Sequence, residues 1–307
     1  MKSGFVAVLG RPNVGKSTLL NALVGSKIAI VTDKPQTTRD AIQGIVTRPQ
    51  GQIVLVDSPG IHEPVMELGR RMMREVRRAT SGCHLVLLLA DASDGMRRDD
   101  RAALDLVKKI NAPALLVLNK IDLLPSREAL LPLIDQWRQL HDFQEFVPIC
   151  ASKGQNLDLL VRLIFERLPE APPFYPEDCL TDQPERFLAA ELIREQVIFA
   201  TAQEVPHSTA VLMEQWKETP ALLRISATIL VEREGQKRIL IGSGGQKLKQ
   251  IGTAARQQLE KQFGRKTFLE LFVKVRPKWR DKPVFVRELD FRRQLGESGG
   301  EDGPGVV

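Results

Sequence analysis

The sequence predicts two domains: an α/β domain built on a mostly parallel sheet with helices on both faces, then a smaller α+β domain. Three observations predict this. Short, almost wholly apolar runs recur through the first half, each followed by polar residues and a helical stretch. A segment with five prolines, Leu168 to Pro184, then interrupts the pattern. Beyond it, strands of alternating character and a concentrated positive charge replace the apolar runs.

In chain order, "GFVAVLG", "IVLVDSPG", "HLVLLLAD", "ALLVLNK" and "FVPICAS" are rich in Val, Leu and Ile. Runs this apolar suit strands covered on both faces. Their spacing suits right-handed strand–helix–strand units in one sheet. "AIQGIVTRPQGQIVLVD" reads instead as a hairpin turning near Pro49–Gly51, so one strand is antiparallel. The proline-rich segment cannot continue a helix or strand and reads as a linker. After it, Phe187, Ala190, Ile193, Val197 and Ala200 form a helical stripe. Leu223 to Val231 alternates as a strand, and a glycine loop at Gly242–Gly245 follows. Leu248, Ile251, Ala255, Leu259 and Phe263 stripe another helix, Leu269 to Val275 alternates again, and a last helix starts near Pro283. The expected limits are 1–168 for the first domain, 169–184 for the linker, 185–295 for the second domain and 296–307 for a disordered tail.

A chain of 307 residues with 43% apolar and 27% charged residues has the composition of a globular protein with two cores. Its longest apolar run, Leu85 to Ala90, is far too short to span a bilayer. The N-terminal "MKSGFVAVLG" lacks a cleavage pattern and reads as a first strand, not a signal peptide. Cys83, Cys150 and Cys179 are odd in number and widely spaced, which fits a reducing cytoplasm and argues against a disulfide framework or a zinc site. The net charge of +6 conceals an asymmetry: Arg233 to Arg293 holds 17 Lys/Arg against 6 Asp/Glu, or +11, so the remaining residues sum to −5. A patch so concentrated seeks a polyanion.

"GRPNVGKS", Gly10 to Ser17, matches G-x-x-x-x-G-K-[ST] between an apolar strand and a helix. The backbone from Asn13 through Val14, Gly15, Lys16, Ser17 and Thr18 can cradle phosphates, with Lys16 on the β/γ oxygens and the Ser17 hydroxyl on Mg²⁺. "NKID", Asn119-Lys120-Ile121-Asp122, stands at another strand end, where Asp122 can accept both the N1–H and the exocyclic amine of guanine. Adenine offers neither donor in that arrangement, so GTP is the expected nucleotide. The Ala151 N–H in "CAS" would meet guanine O6. Asp57 of "DSPG" can reach Mg²⁺ through water, and the Gly60 N–H can meet the γ-phosphate. In "PQTTRD" the Thr38 hydroxyl would close on Mg²⁺ only with the γ-phosphate present, and Thr37 is the competing choice.

Together "GRPNVGKSTLLNAL", "PQTTRD", "DSPGIHEP", "NKID" and "FYPEDCLTDQPERFLAAELIRE" resemble the Era family, bacterial GTPases of small-subunit ribosome assembly. "LVEREGQKRILIGSGGQKLKQIGTAAR" resembles that family's type II KH domain. The likeness covers Lys2 to Gly296; Cys150 stands where a Ser is usual, and Ser58 where Thr is frequent. The resemblance implies a P-loop GTPase that hydrolyses GTP to GDP and phosphate, binds 16S ribosomal RNA near its 3′ end, and assists assembly of the 30S subunit. It further implies a cytoplasmic monomer with a peripheral contact on the inner membrane. In a KH fold, Gly242, Ser243, Gly244 and Gly245 would clamp the backbone of about four nucleotides, with Lys247, Lys249, Lys237 and Arg238 adding charge. Lys16, Thr38, Gly60 and Asn13 carry the expected hydrolytic chemistry. Ile61 follows the DxxG glycine, where Ras-like enzymes carry the Gln that orients the attacking water. Asn13 matches the residue that in related GTPases helps hold a K⁺ ion.

Other conspicuous residues have blander readings. Trp279 packs against the last helix more readily than it stacks on a base, and Met72 and Met73 face the core of the helix after Gly60. Arg70, Arg71, Arg74, Arg77 and Arg78 fit an RNA contact and a solvated helix face about equally. None of the four histidines has metal-ligand spacing, and only His62, beside the γ-phosphate motif, stands out. Two rival functions are the GTPase subunit of an RNA-modifying complex and a membrane-surface signalling GTPase. The first should carry a Cys-ending C-terminus and large helical domains, which this sequence does not show.

Overall fold

The structure, a computed structural model, describes residues 1–61, 66–201 and 205–289. His62 and the 296–307 tail lie outside the described residues. Two compact units divide the chain; the first contains Met1–Glu63 and Arg71–Gln183, and the second Pro64–Arg70 and Pro184–Val307.

The first unit is a six-stranded sheet. Its elements run β1 (Lys2–Leu9), α1 (Lys16–Val24), β2 (Ile42–Arg48), β3 (Gly51–Asp57), α2 (Glu67–Thr80), β4 (Leu85–Asp91), α3 (Arg98–Val107), β5 (Ala114–Asn119), α4 (Leu130–Arg138), β6 (Glu145–Pro148) and α5 (Leu157–Arg167). The spatial order is β2-β3-β1-β4-β5-β6, with only the β2–β3 pair antiparallel. β3, β4 and β5 are buried at every residue, because helices cover both faces. Leu116, Leu118 and Val86 pack with Val76 of α2, Leu104 of α3 and Trp137 of α4 in one core. Truncating such a buried Leu to Ala costs roughly 2–5 kcal/mol. The strand order reverses beside β1, which places the loops after β1, β3 and β5 around one crevice, the usual ligand position in such sheets.

The stretch expected as a linker carries no helix or strand, yet it is tied to the first sheet. The Ile45 N–H donates to Leu180 O at 2.9 Å, and the Thr181 hydroxyl to Gln43 O at 2.6 Å. Gln52 donates to Tyr175 O, and its Oε1 accepts from both Phe174 N and Tyr175 N, each at 2.9 Å. The bonds at Ile45 and Gln43 occupy the outer edge of β2, a natural way to blunt an unpaired strand, while those of Gln52 tie the segment to the start of β3.

The second unit runs α6 (Glu185–Phe199), α7 (Val205–Ser208), β7 (Ala210–Glu218), β8 (Leu223–Val231), α8 (Glu234–Ile241), α9 (Gln246–Phe263), β9 (Thr267–Val275) and α10 (Pro283–Glu288). Its sheet order is β7-β8-β9, with β7–β8 antiparallel and β8–β9 parallel. The parallel pair needs a crossover, which α8 and α9 supply. Ile193 and Val197 of α6 and Ile251, Ala255 and Leu259 of α9 pack on Ile225, Ala227 and Ile229 of β8. α7, β7 and α8 are additions to the elements the sequence suggested. Trp279 is fully buried, and its indole N–H donates to Ser208 O at 2.9 Å, which makes it a packing residue. Met72 is 1% exposed and Met73 packs partly against the core.

Candidate functional site

The loop between β1 and α1 turns through backbone that only small or special residues adopt. Gly15 has φ 101°, and a Cβ there would come within 2.3 Å of Asn119 Nδ2. Glycine is therefore required both by its dihedral and by the guanine-motif side chain packed against it. Asn13 is also left-handed, with φ 64°. Lys16 Nζ donates to the carbonyls of Gly10 and Arg11 at 3.0 Å each. Burial lowers its pKa to about 8, although the Asp57 carboxylate acts the other way.

Three oxygen-bearing side chains converge beside it. The Ser17 hydroxyl donates to Asp57 Oδ2 at 2.6 Å and lies 2.8 Å from the Thr38 hydroxyl. Thr37 instead bonds to Thr32 and the Lys34 carbonyl. Burial raises Asp57 to about 6, opposed by Lys16 and by the Ser17 hydrogen bond. Its Oδ1 is buried without a hydrogen-bond partner. A hard, all-oxygen set with one orphaned carboxylate oxygen fits Mg²⁺, which commonly takes one or two such side chains plus phosphate and water. Ser17, Thr38 and Lys16 line a pocket of about 470 Å³, with Asn13, Gly15, Thr18, Gly60 and Lys120 also on its walls.

The guanine motif is held to this loop. Asn119 Nδ2 donates to Val14 O at 2.8 Å, and its Oδ1 accepts from the Ala151 N–H at 3.0 Å. The N–H expected to meet guanine O6 is thus engaged by Asn119 in this structure. Asp122 takes the Cys150 thiol on Oδ1 and Lys153 Nζ on Oδ2, both at 3.1 Å. Those two hydrogen bonds, the thiol's first, hold its carboxyl below the usual range. The sulfur of Cys150 therefore takes up a hydrogen bond that a hydroxyl could make.

In the second unit, Gly242–Gly245 joins α8 to α9. Gly242, Gly244 and Gly245 have φ of 71°, 56° and 79°, conformations L side chains rarely adopt. A Cβ on Gly244 or Gly245 would meet nothing within 4 Å, so the loop's outer side is open. Ser243 and Lys249 are exposed and Lys247 is half-buried, while Lys237 and Arg238 project from α8. On α2, Arg71 pairs with Asp40, whereas the exposed Arg70 and Arg78 pair with Glu67 and Glu75 one turn away.

A family model described as a 50S ribosome-binding GTPase matches residues 5–120, and a KH domain model matches residues 204–280. The chain is 47% identical over 292 residues to the GTPase Era of Syntrophus aciditrophicus, covering 94% of this chain and 95% of that one. The chain belongs to the Era family of GTPases. Its fold matches the crystal structure of a single-residue variant of Aquifex aeolicus Era bound to GDP·AlF4⁻, with a TM-score of 0.91 at 44% identity, over 95% of this chain and 99% of that one. It also matches Era in complex with MgGDPNP and nucleotides 1506–1542 of 16S ribosomal RNA, with a TM-score of 0.92 at 44% identity and the same coverage. This Era family member accordingly pairs a P-loop GTPase domain with a KH domain.

Sequence reasoning missed one part of this Era nucleotide site. Beneath the phosphate loop, Arg11 Nε donates to Asp100 Oδ2 at 3.1 Å and Nη2 to Asp94 Oδ2 at 2.7 Å. Lys120 Nζ donates to Asp91 Oδ2 at 2.6 Å, and Asp91 Oδ2 is 4.0 Å from Arg11 Nη2. Burial alone would raise Asp91, but hydrogen bonds from Lys120 and Ser93 more than offset it and lower its pKa. An Asp closing the apolar strand beside the one that feeds the P-loop was the available signal.

Proposed function

We propose that this Era family member is a GTP-driven switch that binds 16S ribosomal RNA near its 3′ end and assists 30S subunit assembly. The observation that carries it is the pairing, in one chain, of the Lys16–Ser17–Asp57–Thr38 cluster with an open glycine clamp between two helices. The likeness to an Era structure holding both MgGDPNP and 16S RNA supports it.

In this reading the backbone of Asn13 to Thr18 cradles the phosphates, and Lys16 leaves its two carbonyl partners for the β/γ oxygens. Ser17, Thr38 and, through water, Asp57 would hold Mg²⁺, which supplies charge neutralisation at the transferring phosphate. Thr38 lies in the loop between α1 and β2, so its grip depends on the γ-phosphate, and the Gly60 N–H faces the same group. Asp122 reads the guanine edge, Asn119 Nδ2 and Lys120 fix the motif, and the Ala151 N–H would leave Asn119 Oδ1 for guanine O6. On the other unit Gly242, Ser243, Gly244 and Gly245 pass the RNA backbone, with Lys247, Lys249, Lys237 and Arg238 on its phosphates. The finer placement is a cytoplasmic monomer with a peripheral inner-membrane contact; among the described residues no helix is long and apolar enough to cross a membrane.

The test is a gel shift with a 3′-terminal 16S fragment, run beside flotation on anionic liposomes. RNA binding that the fragment saturates supports the ribosomal reading. Liposome capture without RNA binding would favour a membrane-surface switch.

A further inference from the structure

Nucleotide grip and base reading come from loops about a hundred residues apart, and one carboxylate touches both. Asp91 closes β4, next to Asn119 at the end of β5. Its Oδ1 accepts from Ser93 N at 3.0 Å and Ser93 Oγ at 2.7 Å, which fixes the carboxylate plane. Its Oδ2 faces Lys120 of the guanine motif at 2.6 Å and Arg11 of the phosphate loop at 4.0 Å. Arg11 is itself buried, clamped by Asp94 and Asp100, and its carbonyl accepts from Lys16 Nζ at 3.0 Å. An unbroken series of contacts thus runs from Lys120 through Asp91 and Arg11 to Lys16.

Asp94 and Asp100 already satisfy the Arg11 guanidinium, so Asp91 is not needed merely to neutralise it. Lys120 has a different need. It is held in left-handed backbone with φ 64°, and its side chain borders the phosphate pocket. Without a counter-ion its ammonium would lean toward the phosphates or into water, loosening a turn that ends two residues later at Asp122.

We infer that Asp91 is a positioning residue: through Lys120 and Arg11 it keeps the guanine motif and the phosphate loop in one register, so that base choice and phosphate grip are set together. The inference rests on the guanine-nucleotide reading of the site. It adds that discrimination at the base depends on an arginine of the phosphate loop that never touches the base.

The experiment uses the full chain with GDP and with inosine diphosphate, which lacks the exocyclic amine that Asp122 reads. Wild-type protein binds GDP and prefers it to inosine diphosphate; failure of that control would refute the nucleotide reading itself. Asp91→Asn keeps the shape and removes the charge. It weakens GDP by about ten- to hundredfold, the worth of one hydrogen bond to a charged group, and narrows the GDP preference. Under GTP turnover KM rises while kcat holds. Arg11→Lys narrows the same preference, and the double variant loses no more than the worse single one, as expected for residues acting as a unit. Should Asp91→Asn fail to fold, Ser93→Ala removes one bond to the same carboxylate and gives a smaller change in the same ratio. An unchanged preference with only a lower melting temperature, or strictly additive losses, would overturn the inference.

Discussion

The thiol of Cys150 donates to Oδ1 of Asp122 at 3.1 Å. A thiol is a weak donor, and Lys153 on the other oxygen is 65% exposed, so both can yield to a base edge that offers two N–H groups. Asp122→Asn reverses one of those hydrogen bonds. The variant is expected to lose GTP affinity and to favour xanthosine triphosphate, whose carbonyl replaces the exocyclic amine. Competition between the two nucleotides checks this, and an unchanged guanine preference would remove Asp122 from the base-reading role.

Asp57 makes the nucleotide-free protein sensitive to pH. Its folded pKa of about 6 lies above the ordinary Asp value of 3.8, so the folded state holds a proton that the unfolded chain releases. Stability from this group is fully present below the unfolded pKa and is lost as pH rises to the folded one. Asp57→Asn carries no such proton. In nucleotide-free, Mg²⁺-free protein it should gain on the wild type as pH climbs from about 4 to 6, then hold a constant advantage of about 3 kcal/mol above that. Melting curves across this range are the measurement. A gap that is flat throughout would mean that the carboxylate is already charged and paired at pH 4.

Much of this was legible from local pattern, and the rest depended on partners distant in sequence. The hairpin turn at Pro49–Gln50 and the strands after it could be read because alternation and turn chemistry are local. β7 was not, because the register shift between Met213 and Gln215 breaks its alternation. α8 hid behind the glycines that follow it. Whether Thr37 or Thr38 stands by Ser17 was open on spacing alone; the fold brings Thr38 there and sends Thr37 to Thr32. Prolines marked 169–184 as irregular, but nothing nearby announced that Gln43 of β2 and Gln52 of β3 would bind it to the sheet. The Arg11–Asp100 contact spans 89 residues, beyond any window of periodicity.

The glycine clamp can be tested without harm to the fold. Ser243 is exposed and a side chain on Gly244 would meet open space, so Ser243→Asp with Gly244→Asp costs only the strain of one left-handed residue, about 1 kcal/mol. Two carboxylates where phosphates pass should abolish RNA binding and leave basal GTP hydrolysis at the wild-type rate. For weaker single variants, each lost phosphate contact should reduce the salt slope of binding by about 0.7 for single strands. A double variant that binds RNA with the wild-type slope would show that the loop is only a turn.

Hydrolysis poses the remaining question, because the position after Gly60 offers no polar atom. The Ile61 N–H donates to Gly10 O at 3.2 Å, while its side chain is 4% exposed and packed in the core beside Ala7 and Leu9. It therefore cannot orient a water molecule, and Ile61→Ala should cost stability, roughly 2–5 kcal/mol as for other buried truncations, with only a modest change in rate. Asn13 is better placed: it lines the pocket, and its amide donates to Asp33 O at 2.8 Å in the loop that also carries Thr38. A monovalent cation held there would neutralise charge developing on the phosphates, the task an arginine finger performs at about 10³-fold or more. Hydrolysis should then be slow at rest, faster in potassium than in sodium, and Asn13→Ala should erase the difference. Turnover in matched salts, with melting temperatures for both variants, decides the matter. Equal rates in the two salts would dismiss the cation, and a large fall in rate for a well-folded Ile61→Ala would mean that this side chain shapes the reaction and does not merely fill the core.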